Sequence, residues 1–119
     1  MIEIPDDEQL VFDTVAKHLL DQGEKSLGVE GECLYRNEQG LKCAAGCLIP
    51  DKQYYASLEG ITWSGLILSG RVSKHCESLI SHLQLIHDND NPDTWLSVLH
   101  RTAKVRNLNT SKLPPLEKE

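Results

Sequence analysis

Four cysteines and five histidines stand in a chain of 119 residues, and three of those cysteines gather near one stretch, "GLKCAAGCLIPD" at residues 40–51. Cys43 and Cys47 are separated by two alanines and a glycine, with Cys33 upstream and Cys76 more distant. Pairs of Cys and His two to four residues apart are the raw material of zinc sites. A thiol beside a histidine and a carboxylate is the raw material of nucleophilic catalysis. Cys43, Cys47, His87 and Asp88 supply the residue types for either. Against both, an extended strand would hold Cys43 and Cys47 about 13 Å apart, too far for one ion. Free cysteine also packs as a small hydrophobe. The adjacent Ala44, Ala45 and Gly46 indicate that something lies very close to this segment. His87 and Asp88 also have a structural explanation, as the end of one helix and the cap of the turn after it.

Two other groupings are weaker. "DNDN" at 88–91 resembles the start of a calcium loop, but Asp93 and Leu99 stand where the loop needs Gly and Glu. His75 and His82 share roughly one face of a helix and read as solvated. No metal and no cofactor is implied.

The elements that must position these residues follow from periodicity. "PDDEQLVFDTVAKHLLDQG" predicts a first helix, with acidic residues at its start and Gly23 as its stop. "CLYRNEQGLKCAAGCLI" alternates like a β-hairpin around an "NEQG" turn, pairing Asn37 with Leu41, Tyr35 with Cys43 and Cys33 with Ala45. Cys33, Tyr35, Leu41, Cys43, Ala45, Cys47 and Ile49 then share one face. Asp51 caps a short helix closed by Gly60. "ITWSGLILSGRVS" reads equally as a third strand or a short irregular helix. "KHCESLISHLQLIHD" predicts a helix with one apolar stripe. Asn91 and Pro92 open a last helix carrying Trp95, Leu96 and Leu99 inward. The expected fold is therefore α+β, a small antiparallel β-hairpin or sheet packed against three or four helices. Residues 1–108 form the domain and 109–119 a flexible C-terminal tail.

Composition narrows the function. Hydrophobic content of 39% and charged content of 25% are ordinary for a globular domain. A net charge of −6 with scattered basic residues argues against nucleic acid as a partner. No apolar run approaches membrane length, and the N-terminus does not read as an export signal. A cytoplasmic setting with reduced thiols is expected. Tyr54, Tyr55 and Trp63 gather most of the aromatics into one stretch, and aromatics are enriched at interface centres. They are the expected binding residues.

"CLYRNEQGLKCAAGCLIPD", with "LQLIHD" and a following tryptophan helix, resembles a family of small uncharacterised proteins of bacterial and phage genomes. Their shared pattern is a Gly-x-Lys-Cys-Ala-x-Gly-Cys-Leu-Ile-Pro segment and an Ile-His-Asp helix end, and the resemblance spans residues 10 to 105. It implies no catalytic residues. It does imply a phage or mobile-element setting, where small acidic proteins are often inhibitors or modulators. The expectation is a non-catalytic binding protein whose partner is a host or defence protein or a sequestered small molecule. The alternative is a small cysteine enzyme or metal-binding protein using Cys43, Cys47 and His87.

Overall fold

The computed structural model describes residues 1–116. Helix α1 spans Glu8–Gln22, α2 Trp63–Leu68, α3 Glu77–Asn89 and α4 Trp95–Val105. Single 3₁₀ turns at Gly46–Leu48, Asp51–Gln53, Ala56–Leu58 and Pro92–Thr94 punctuate the connections. No described helix is long and apolar enough to cross a membrane.

The helices start and stop where side-chain chemistry dictates. Asp7 caps α1 by accepting the Leu10 N–H at 3.1 Å, and Gly23 ends the helix in the left-handed conformation at φ 70°. Thr62 caps α2 by accepting from Gly65 N. Asn91 accepts from Asp93 N and opens the Pro92–Thr94 turn, which feeds directly into α4. The first helix and the two C-terminal helices expected are thus present, and the ambiguous "ITWSGLILSG" segment contains helix α2. The short helix expected between Asp51 and Gly60 is replaced by the 3₁₀ turns Asp51–Gln53 and Ala56–Leu58, with no side-chain cap from Asp51.

Helix α1 packs against α3 and α4, α3 against α4, and α2 against α3. Val11, Phe12, Val15 and Leu19 of α1 meet Leu79, Ile80 and Leu83 of α3 and Trp95 and Leu99 of α4 in one buried core. Trp95 is fully buried, and its indole N–H lies 3.2 Å from both Ile86 O and Asp90 O. The N-terminal segment is tied down beside α2. Ile2 and Val72 form a parallel bridge, and Ile4 N–H donates to Ser73 Oγ at 2.8 Å.

The expected β-hairpin or sheet does not form, and the α+β class is corrected to a mostly helical fold. Among the described residues there are only three isolated bridges, Ile2–Val72, Leu27–Cys33 and Arg36–Lys42. The "NEQG" turn itself exists: Asn37 N–H donates to Leu41 O, and Gly40 sits at φ 83°. Pairing stops beyond it because side chains take the donors a ladder would need. Tyr35 N and Arg36 N donate to the two oxygens of Glu59 at 2.9 and 3.0 Å. Ala45 N donates to Gln84 Oε1 at 2.9 Å, and Gly46 N reaches Cys43 Sγ at 3.3 Å. The chain then curls, with Cys47 N–H on Cys43 O and Ile49 N–H on Gly46 O. Cys43 and Cys47 are therefore one turn apart, and the extended spacing expected between them does not apply.

The tail expected over 109–119 lies partly outside the described residues, which end at 116. Within them, Leu113 joins the core, Asn109 and Gln9 exchange two hydrogen bonds, and His100 Nε2 lies 2.8 Å from Pro114 O.

Candidate functional site

Residues 24–62 carry no α-helix, so helix side chains must hold this long segment in place. Gln22 brackets Lys42 from α1, donating to its carbonyl at 2.8 Å and accepting its N–H at 3.0 Å. His87 reaches out of α3 and accepts the Ser26 N–H at Nε2, 3.0 Å away. Ser26 is fully buried, with its hydroxyl 2.8 Å from Leu34 O and 3.0 Å from Leu41 O. Gln84, one turn before Asp88 on α3, accepts from Ala45 N and donates to Asp88 Oδ1.

This stitching leaves a cavity of about 400 Å³ between the Cys33–Ala45 segment, the Glu59–Ser64 segment and the outer side of α3. That volume falls within the range of small-molecule sites. Tyr35, Ile61, Trp63 and Leu85 supply apolar walls, and Glu59, Gln84 and Asp88 supply polar ones. Tyr35 and Trp63 meet edge to face, their ring centroids 6.2 Å apart. Trp63 is buried, and its indole N–H has no hydrogen-bond partner among the described residues. A buried donor without an acceptor costs about 1–3 kcal/mol.

Cys33, His87 and Asp88 come together at one side of the cavity, their ligand atoms within 4.8 Å of one another. It is the only such grouping of three or more His, Cys, Asp or Glu side chains among the described residues. The hydrogen bonds decide what it can do. Ser26 N–H can only donate, so His87 Nε2 is an acceptor and Nδ1 carries the proton, which it donates to Asp88 Oδ1 at 2.8 Å. Both nitrogens of this buried ring are thereby occupied, leaving no free lone pair for a metal or a substrate proton. Burial pushes the Asp88 carboxyl up, but hydrogen bonds from His87, Cys33 and Gln84 outweigh it and hold the pKa below the usual value. Burial, reinforced by the hydrogen bond to Asp88, pushes the Cys33 thiol up to about 12. Cys33 is exposed as a residue, yet its sulfur is turned against that carboxylate.

Cys43 and Cys47 do not join His87 in such a grouping. Burial pushes each thiol up to about 12. Cys43 Sγ lies 3.3 Å from Gly46 N, and the Cys47 thiol donates to Ala44 O at 3.1 Å. All four cysteines are free. Of the expected aromatic binding residues, Trp63 lines the cavity. Tyr54 lies beneath the Arg36 guanidinium at 4.7 Å and donates to Glu59 Oε2, Tyr55 is exposed, and neither tyrosine lines the cavity.

Compared with protein-family models, curated proteins and solved structures, the chain matches none.

Sequence reasoning placed Cys33 in the hairpin and overlooked both Glu59 and Gln84. Their signal was faint. A glutamate before a glycine and a glutamine within a helix are ordinary surface residues until a distant backbone reaches them.

The high thiol values carry a direct test. At a pKa near 12 only about one thiol in ten thousand is ionised at pH 8. Alkylation of the folded protein by iodoacetamide should be slow, with a rate still climbing past pH 10. A plateau below pH 8 at Cys33, Cys43 or Cys47 would restore a nucleophilic role for it.

Two histidines make stability depend on pH. Burial lowers the His18 pKa, outweighing the hydrogen bond from Nε2 to Lys42 O, and burial with the Arg106 charge lowers that of His82. Their folded values lie below the ordinary value of 6.5. The unfolded chain then takes up protons first as pH falls, so this stability is present above about 6.5 and declines below it. Asp88 adds a second, more acidic stage, because its depressed pKa contributes stability lost only as pH falls through its folded value. Melting temperature should fall in these two stages, and His18→Gln should flatten the first. A flat profile between pH 7 and 5 would refute the assignment.

Proposed function

We propose that this chain is a non-catalytic binding protein that takes a small molecule into the cavity walled by Tyr35, Trp63, Leu85 and Asp88, and that it acts in the cytoplasm. The observation that carries the reading is the cavity of about 400 Å³ itself, with apolar walls from Tyr35, Trp63 and Leu85 and polar groups from Glu59, Gln84 and Asp88. The free thiols fit a reducing compartment. The resemblance to small phage and bacterial proteins supports a role as a sequestrant or modulator that acts on a host or defence process by withholding a compound.

The cysteine-enzyme and metal alternatives have less support. Neither His87 nitrogen is free, and Cys33, Cys43 and Cys47 are held protonated.

Thermal melting against a collection of cell metabolites tests the reading. At a hundredfold excess over its Kd, a ligand should stabilise the native chain by about 2.7 kcal/mol. Ser81→Phe, which places a ring from α3 into the cavity, should abolish that stabilisation while leaving the chain folded. Ligands that stabilise both forms equally would place binding elsewhere, and no stabilising compound at all would count against a small-molecule role.

A further inference from the structure

Resting on that binding role, we infer that the cavity selects a small organic cation with an apolar body: an amine, amidine or guanidine. The charges of the wall point this way. Two carboxylates, Glu59 and Asp88, line the cavity, and among the described residues no Lys, Arg or His does. The nearest cations lie outside the lining: Lys25 Nζ donates to the backbone carbonyl of Asp88, and the Arg36 guanidinium bonds Ile49 O and Asp51.

The donors that surround the two carboxylates are neutral groups. Glu59 accepts from two backbone amides and the Tyr54 hydroxyl, and Asp88 accepts from Gln84 and from a His87 ring whose other nitrogen is an acceptor. Neutral donors orient a carboxylate without cancelling its charge, so the field inside the cavity stays negative. In a partly desolvated cleft such a field attracts a cation more strongly than it would in water. The apolar surfaces of Tyr35, Trp63 and Leu85 in the lining account for the body of the ligand.

Isothermal titration with three compounds of matched shape tests the inference: 2-phenylethylamine, 2-phenylethanol and 3-phenylpropionate. The amine should bind at least tenfold more tightly than the alcohol, and the carboxylate most weakly. Asp88→Asn keeps an acceptor for His87 and Gln84 but removes the charge, and should bring the amine close to the alcohol. Ser81→Lys, which adds a cation to the wall from a helical position, should weaken the amine and strengthen the carboxylate. An alcohol or carboxylate that binds the native protein as tightly as the amine would overturn the cation inference and leave the cavity a binding site. Failure of all three to bind a chain shown to be folded by circular dichroism would overturn both the inference and the small-molecule role beneath it.

Discussion

Gly46→Ala is expected to destabilise the protein by about 3 kcal/mol, at the upper end of the usual cost of overpacking, and to lower the melting temperature by roughly 10 °C. Gly46 is buried in the 3₁₀ turn at Gly46–Leu48. A Cβ there would collide with the carbonyl oxygen of Tyr35 and stand only 2.9 and 3.0 Å from its C and Cα atoms. These are backbone atoms, and they have little room to yield. Tyr35 N–H is held by Glu59 Oε1, its hydroxyl donates to Ile61 O at 2.6 Å, and its ring packs on Trp63. The neighbouring Arg36 N–H is held by Glu59 Oε2. Glycine is required here by close approach of another strand of chain, unlike Gly40, where positive φ requires it. Denaturation of Gly46→Ala beside wild type measures the effect. A variant as stable as wild type would show that the Tyr35 carbonyl moves freely, and the clamp by Glu59 would then be slack.

The second large effect is expected at His87, where His87→Leu should cost about 3 kcal/mol. The ring is fully buried and stacks on Trp95 with centroids 5.8 Å apart. Leucine removes the acceptor of Ser26 N–H, leaving a buried amide unpaired at about 1–3 kcal/mol. It also removes the donor that holds Asp88, together with an aromatic contact of about 0.5–1.5 kcal/mol. Amide hydrogen exchange should report the loss locally, as early exchange at Ser26. Asp88→Asn retains an acceptor for His87 and should cost markedly less. A catalytic histidine would behave oppositely, with its loss harming activity and sparing stability. His87→Leu within about 0.5 kcal/mol of wild type, the range of ordinary surface changes, would remove its structural role.

The sequence by itself determined the helices. The apolar stripes of Val11–Leu19 and Leu79–Ile86, the acidic start of the first helix, the Asn91 cap and the Gly23 stop are signals written within a few residues of one another. The "NEQG" turn was legible for the same reason. What followed the turn was not. Alternation in "CLYR" and "LKCAAGC" reads as two strands, and an isolated segment with those donors would pair. Whether it pairs depends on which acceptors arrive first in space, and here they come from Glu59 and Gln84, 24 and 39 residues from the amides they bind. That long-range choice turned an expected sheet into a stitched loop. The closeness of packing around Gly46 was legible from its small neighbours, but its partner was not: the Tyr35 backbone lies against it. The cavity belongs to tertiary structure entirely. Its walls come from three separated stretches of chain, and only their packing brings two carboxylates and two aromatic side chains around one space.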